Sequence, residues 1–285
     1  MNAISLQRSL SGLHLGPLRY FDTIGSTNVE AAHWARQGAP DLSLVVADEQ
    51  TSGRGRHGRR WHTPPGAALA FSLVLRPEKL PGLNLHPDNW EHSQAHLTHL
   101  AALGALAVCD GLEAYARKHE GHIHPKIKWP NDVLVEGRKL SGVLVESHWE
   151  GERLTALILG IGINVAPVSI PPNDQLSFPA SCVEEILGKA VSRRELLHWV
   201  LSALLNRRDQ LPNEAFMLDW ERRMAYVGRR VRILQAVPGH DAILVEGRIL
   251  GLSKSGGLCL QVASGETLTI HSGEVRLRPV DRSPK

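Results

Sequence analysis

"VLVEGRKLSGVLVESHWEGERLTALILGIGINV", Val133 to Val165, holds three apolar runs broken at Glu136-Gly137 and again at Glu150-Gly151. Short interruptions containing glycine between such runs are hairpin signals, so the segment predicts antiparallel strands in a meander. Working outward, "ALAFSLVLRP" alternates Leu69, Phe71, Leu73 and Leu75 with smaller residues, the period-two pattern of a strand. "GSTNVEAAHWARQG" predicts a helix capped by Ser26 or Thr27 and left at Gly38. The segment from Leu97 to Glu120 spaces Leu97, Leu100, Gly104, Val108, Leu112 and Tyr115 as a core helix, and Ser192 to Leu211 reads as a second amphipathic helix. From about Val227 the texture changes to short strands punctuated by "PGHD", "KSGG" and "ASGE", which predicts a small β-barrel. The expected organisation is therefore an α+β domain over residues 1–225, with a mixed, largely antiparallel sheet flanked by helices, and a β-barrel module over 226–285.

A second stretch, "TSGRGRHGRRWHTPPG" from Thr51 to Gly66, threads basic side chains on glycines. Gly53, Gly55 and Gly58 satisfy G-x-G-x-x-G, but the dinucleotide fingerprint needs a helix opening at the last glycine. Arg59, Arg60, Trp61 and then Pro64-Pro65-Gly66 follow instead, and paired prolines forbid helix propagation. No G-x-x-x-x-G-K-[ST] occurs either. What remains is a pliable loop able to present backbone N–H groups and arginines to an anion; the plainer alternative is a solvated basic turn.

Composition narrows the class. A net charge of +3 over 285 residues indicates no polyanion-binding surface, so charge is local. Cys109, Cys182 and Cys259 lie far apart without C-x-x-C, which suggests neither disulfides nor a zinc knuckle and fits a reducing cytoplasm. No run approaches the roughly 18 apolar residues of a spanning helix, so no membrane is expected. The histidines between residues 84 and 99 match no standard ligand spacing; a surface loop running into a helix is expected there, and no metal held by protein ligands alone.

"KWPND" places Lys128, Asn131 and Asp132 beside the meander, with Lys139 on its first hairpin. Lysines cancel charge when an anionic carboxylate meets a nucleotide phosphate, and Asn131 with Asp132 offers oxygens of the kind Mg²⁺ accepts. Ser26, Thr27, Asn28 and Gln50 offer short hydroxyls and amides for a small polar ring. Gly142, Gly160 and Gly162 let backbone come close to a ligand, or else mark bulges.

"GSTN", Gln50, "GRGRHGRRW", "KWPNDVLVEGRKLSGVLVE" and "GIGINV" together, in this order over residues 20 to 165, resemble the biotin protein ligases. The resemblance implies a class II synthetase-like main domain and a small C-terminal SH3-like β-barrel. It implies activation of biotin with ATP to biotinyl-5'-AMP and transfer to a lysine of a biotin carboxyl carrier protein or domain. By the same resemblance Lys139 contacts the biotin carboxylate and the transferring phosphate, with Lys128, Asn131 and Asp132 around the ATP phosphates and magnesium. Ser26, Thr27, Asn28 and Gln50 hold the ureido ring, Asn164 lies near the nucleotide, and Gly53, Arg54, Gly55, Arg56 and Trp61 belong to a loop that closes over the adenylate. Catalysis is thus expected from Lys139, Lys128, Asp132 and Arg56. His57 departs from the family's usual arginine. With "GSTN" beginning at residue 25, no N-terminal DNA-binding domain is expected, hence a short-form ligase, monomer or homodimer, without DNA as partner. The alternatives are a lipoate or octanoate ligase or transferase of related fold, for which fewer urea-binding groups are expected, and, more remotely, a nucleic-acid-binding module, for which aromatics should cluster beside the charges.

Overall fold

The computed structural model describes all residues except 81–89, 173–175, 177, 238–239, 272–274 and 280–285; side chains at 57, 90–94, 235–237, 240–242 and 275–279 also fall outside the description. Helices are α1 (Ala3–Leu10), α2 (Thr27–Arg36), α3 (Trp90–Lys118), α4 (Val183–Leu187), α5 (Arg193–Arg208) and α6 (Glu214–Arg223). Strands are β1 (Leu18–Ile24), β2 (Leu44–Gln50), β3 (Ala68–Leu75), β4 (Lys126–Lys128), β5 (Asp132–Val135), β6 (Arg138–Glu150) and β7 (Arg153–Asn164). They are followed by β8 (Arg230–Val237), β9 (His240–Leu252), β10 (Leu258–Gln261), β11 (Thr267–Ile270) and β12 (Val275–Pro279). The meander appears as expected: β5, β6 and β7 are antiparallel and turn at Glu136-Gly137 and Gly151, where Glu136, Gly137 and Gly151 take positive φ.

The first seven strands form one sheet in the order β1-β2-β3-β7-β6-β5-β4, with only β1 and β2 parallel. Because side chains alternate across a strand, the sheet has two characters. One face carries Leu69, Phe71, Leu73 and Leu75 of β3 and Leu157, Leu159, Ile161 and Ile163 of β7, packed with α1, α3 and α5 in the main core. The other face packs Val74, Ala156 and Ile158 against Ala31, Ala32 and Ala35 of α2. Farther along the second face β6 and β7 offer Gly142, Gly160 and Gly162 instead of apolar side chains, so this end of the sheet is open. α3 is long and apolar enough over Ala95–Lys118 to cross a membrane by length and composition, contrary to the sequence expectation, but 89% of that window is buried inside the fold.

The C-terminal strands correct the sequence reading. They form an open five-stranded sheet, order β11-β10-β9-β8-β12, in which β11 and β12 are opposite edges and do not pair with each other. Among the described residues neither sheet closes, and no SH3-like barrel forms. The rhythm of short strands and turns is common to an open sheet and a barrel; closure depends on pairing the first and last strands, which local spacing does not encode. This sheet is joined to the rest through a shared core, with Val231, Ile233, Ile249, Leu258 and Leu260 in the same cluster as Trp129, Phe216 and Trp220. At the seam Trp129 Nε1 donates to the Gly256 carbonyl at 2.9 Å.

Of the histidine-rich stretch, residues 84–89 lie outside the described residues. His96 and His99 sit buried in α3. The His99 ring stands edge-on to Phe216 and Trp220, and neither ring nitrogen has a hydrogen-bond partner among the described residues. Burial, with His96 adding to it, depresses the His99 pKa from 6.5 to about 4. The folded state thus holds His99 neutral while the unfolded chain protonates it below pH 6.5, so stability falls as pH drops from 6.5 toward 4, by up to about 3 kcal/mol. His99→Phe is expected to flatten this part of the urea-denaturation pH profile; an unchanged acid slope would show that His99 does not report on the seam.

Candidate active site

The open end of the sheet is the floor of a cavity of about 690 Å³. Its lining includes Ser26, Thr27, Asn28, Gln50, Gly53, Arg54, Gly55, Arg56, Trp61, Lys128, Asn131, Asp132, Lys139, Gly142, Gly160, Gly162 and Asn164. Every binding residue read from the sequence therefore converges on one place, although the residues span most of the main sheet.

The wall near α2 is built of small polar groups. Ser26 occupies the helix cap position but makes no side-chain cap bond. Gln50 does that work: its Oε1 accepts from the Thr27 backbone N–H at 2.8 Å and from Thr27 Oγ1 at 3.1 Å, and its Nε2 donates to Thr63 Oγ1 at 3.0 Å. Asn28 lies over Gly160, where an added Cβ would collide with the Asn28 amide. The glycine thus clears space for a side chain of the protein. Gly162 does the same for the Trp61 indole, and Gly142 for Trp61 and Lys139. The sequence reading, in which backbone approaches ligand directly, is amended: the glycines seat Asn28 and Trp61.

At the other wall lies a cluster of charge. Lys128 and Lys139 pair with the two oxygens of Asp132 at 3.0 and 2.6 Å. Antiparallel pairing sets this, since Lys128 faces Asp132 across the turn between β4 and β5, and the β5–β6 hairpin returns Lys139 beside them. Asp132 is buried, which alone would raise its pKa, but Lys139 and Lys128 outweigh burial and hold the carboxyl far below the usual carboxylate range. Arg56 reaches in from the loop to donate to Asn131 Oδ1 at 3.1 Å, while Asn131 Nδ2 donates to the Val143 carbonyl at 2.7 Å. Burial lowers the Arg56 pKa, Asp132 opposes that, and Arg59 adds to it. The Lys128 ammonium also sits 4.2 Å from the centre of the Phe178 ring, and that of Lys139 5.5 Å from Trp61. Among the described residues three cations, Lys128, Lys139 and Arg56, stand around one carboxylate at this wall, an arrangement complementary to an anionic ligand.

The oxygens of Asn131 and Asp132 face Arg56 and the two lysines, so this pair does not fit a magnesium ion held by the protein itself. Among the described residues no three His, Cys, Asp or Glu side chains converge as metal ligands.

The basic loop is a hairpin. Trp61 N–H donates to the Gly53 carbonyl at 2.9 Å and Gly55 N–H to the Arg59 carbonyl at 2.7 Å, with a 3₁₀ turn over Arg56–Gly58. The loop carries this short ladder of its own and lays Trp61 across the glycines. A Cβ at Gly53 would strike the Trp61 carbonyl, so this glycine permits the crossing. Asn164, expected near a nucleotide, lines the cavity while its Nδ2 donates to the Ser181 carbonyl at 3.1 Å. Sequence reasoning missed Ser72, Glu146 and Phe178. Ser72 was visible only as a polar residue in an otherwise apolar strand, and Glu146 only as a carboxylate after the apolar run Val143–Val145.

Comparison with known proteins agrees with this geometry. Residues 20–164 match the biotin/lipoate A/B protein ligase family, and residues 226–278 match the biotin protein ligase C terminal domain. The chain is 33% identical over 279 residues to the bifunctional ligase/repressor BirA of Bacillus spizizenii, covering 95% of this chain and 76% of that protein. It is 30% identical over 277 residues to the biotin--[acetyl-CoA-carboxylase] ligase of Mycobacterium tuberculosis, covering 95% and 93%. The biotin protein ligase of Aquifex aeolicus, solved in complex with biotin and ATP, superposes with a TM-score of 0.72 at 30% identity, covering 93% of this chain and 99% of that one. The chain belongs to the biotin/lipoate A/B protein ligase family.

Proposed function

We propose that this protein joins biotin to ATP as biotinyl-5'-AMP and passes the biotinyl group to a lysine of a carboxyl carrier protein or domain. The observation that carries the reading is the meeting, in one cavity, of a small hydroxyl-and-amide wall with a wall of surplus positive charge. A cyclic urea has two N–H donors and one carbonyl acceptor, which Ser26, Thr27, Asn28 and Gln50 can match, whereas a lipoyl dithiolane has no such groups. The second wall suits the first half-reaction. There a carboxylate oxygen attacks the α-phosphorus and pyrophosphate departs, so negative charge must be brought together before it is released. Lys139 and Lys128 screen the approaching anions, Asp132 aims both ammonium groups, and Arg56 covers the site from the loop. In the second half-reaction the carrier lysine attacks the acyl carbon and AMP leaves. Magnesium would come with the nucleotide's phosphates. In this reading residues 1–225 carry the chemistry and the sheet of residues 226–285 supports the "KWPND" turn through Trp129.

The protein should catalyse biotin-dependent exchange of pyrophosphate into ATP; equal exchange with lipoate, or none with biotin, would defeat the assignment. Lys139→Ala should lower the exchange rate by roughly two to four orders of magnitude, a buried charge partner's worth of about 3 to 5 kcal/mol. Near-normal turnover would reduce Lys139 to a structural ion pair.

Asp132 also links the site to stability. Its folded pKa lies below its ordinary 3.8, so its contribution is present above that pH and is lost as pH falls through the folded value. Asp132→Asn should therefore cost about 3 kcal/mol in urea denaturation at neutral pH, with the deficit shrinking below pH 4. A deficit independent of pH would mean that shape rather than charge matters there.

A further inference from the structure

The polar wall beside α2 is a directed chain of hydrogen bonds, and one residue outside the proposed binding set gives it its direction. Glu146, on β6, accepts from Asn28 Nδ2 through Oε2 at 2.7 Å and pairs with Arg54 of the basic loop through Oε1 at 3.1 Å. A carboxylate offers only acceptors, so Asn28 must turn its NH₂ group toward Glu146 and its oxygen away. That oxygen, Oδ1, receives the Ser72 hydroxyl at 2.6 Å. Ser72 Oγ also lies 2.8 Å from Thr27 Oγ1, and Thr27 Oγ1 donates to Gln50 Oε1 at 3.1 Å. A hydroxyl has one proton and two lone pairs. The single Ser72 proton is held between Asn28 Oδ1 and Thr27 Oγ1, and the Thr27 proton is drawn to Gln50, so Thr27, which lines the cavity, has only lone-pair capacity left to offer and is set as an acceptor. That is the complement of a ring N–H.

We propose that Glu146 is a positioning residue that fixes the donor and acceptor order of the biotin pocket and ties that order, through Arg54, to the basic loop. The assignment rests on the ligase reading. The tie has the strength such a link needs. Arg54 is about half exposed (53%), so its pair with Glu146 is screened by solvent and opens readily. The Asn28 contact is sheltered by Gly160 and Ser72 and holds.

Glu146→Gln tests this, because a glutamine amide can donate as well as accept, allowing Asn28 to reverse, and it removes the charge that holds Arg54. In biotin-dependent pyrophosphate exchange the variant should show a biotin KM raised roughly tenfold, one charge-assisted hydrogen bond's worth, with the ATP KM changed by less than about twofold. Biotinyl adenylate should also escape and label unrelated proteins. Arg54→Ala should reproduce the escape with a smaller change in biotin KM, and the double variant should leak no more than Arg54→Ala alone. A biotin KM within about twofold of the parent, or biotin and ATP KM values rising together, would overturn the assignment. A parent protein without biotin-dependent exchange would overturn the ligase reading itself, whereas an active parent with an indifferent Glu146→Gln would overturn only the role of Glu146.

Discussion

Everything about the cavity depends on side chains that are missing from two adjacent strands. Gly142 and Gly162 face each other across β6 and β7, and Gly160 pairs with Leu144 one alternation further along. A Cβ at Gly160 or Gly162 would occupy the volume of Asn28 or Trp61. The centre of a well-packed sheet thus gives up apolar contacts on one face while keeping them on the other, where Leu157, Leu159, Ile161 and Ile163 remain in the core. A floor of this kind is rigid because it is central to the sheet, and that rigidity places hydroxyls, amides and cations with little freedom to drift.

The charge cluster follows from the same topology. Buried ions are costly unless paired, and Lys128, Asp132 and Lys139 are brought together by two successive hairpins, so their pairing is a consequence of backbone register. Asp132 pairs with both lysines, yet among the described residues one carboxylate stands against two ammonium groups and the nearby Arg56. The residual field favours the arrival of a polyanion over the arrival of a neutral molecule.

How much of this was legible in the sequence varied with the range of the interaction that decides it. The meander was legible because alternation and Glu-Gly turns are local, and the clustering of the motif residues because several motifs stood in one order. The face on which Ser72 meets Asn28 was not, since it depends on register between β3 and β7, where Ser72 pairs with Gly160. Glu146 was hidden for the same reason: its partners are 118 and 92 positions away in the chain, and only the fold makes them neighbours. The barrel expectation failed because strand rhythm does not say whether the last strand returns to the first. The cap position at Ser26 was legible, but not that its side chain would make no cap bond and that Gln50, from another strand, would supply the acceptor.

The hydrogen bond from Trp129 to Gly256 gives the C-terminal sheet a use besides burying its own apolar face. Trp129 stands between Lys128 and the cis bond to Pro130, so its indole is a short lever arm on the turn that carries Asn131 and Asp132. The far end of that arm rests on a glycine turn whose neighbours are Trp220 and His99. The anion-facing wall is consequently braced from behind, like a retaining wall with a buttress, by a segment none of whose described residues lines the cavity. What that segment lends the wall is therefore stiffness rather than chemistry.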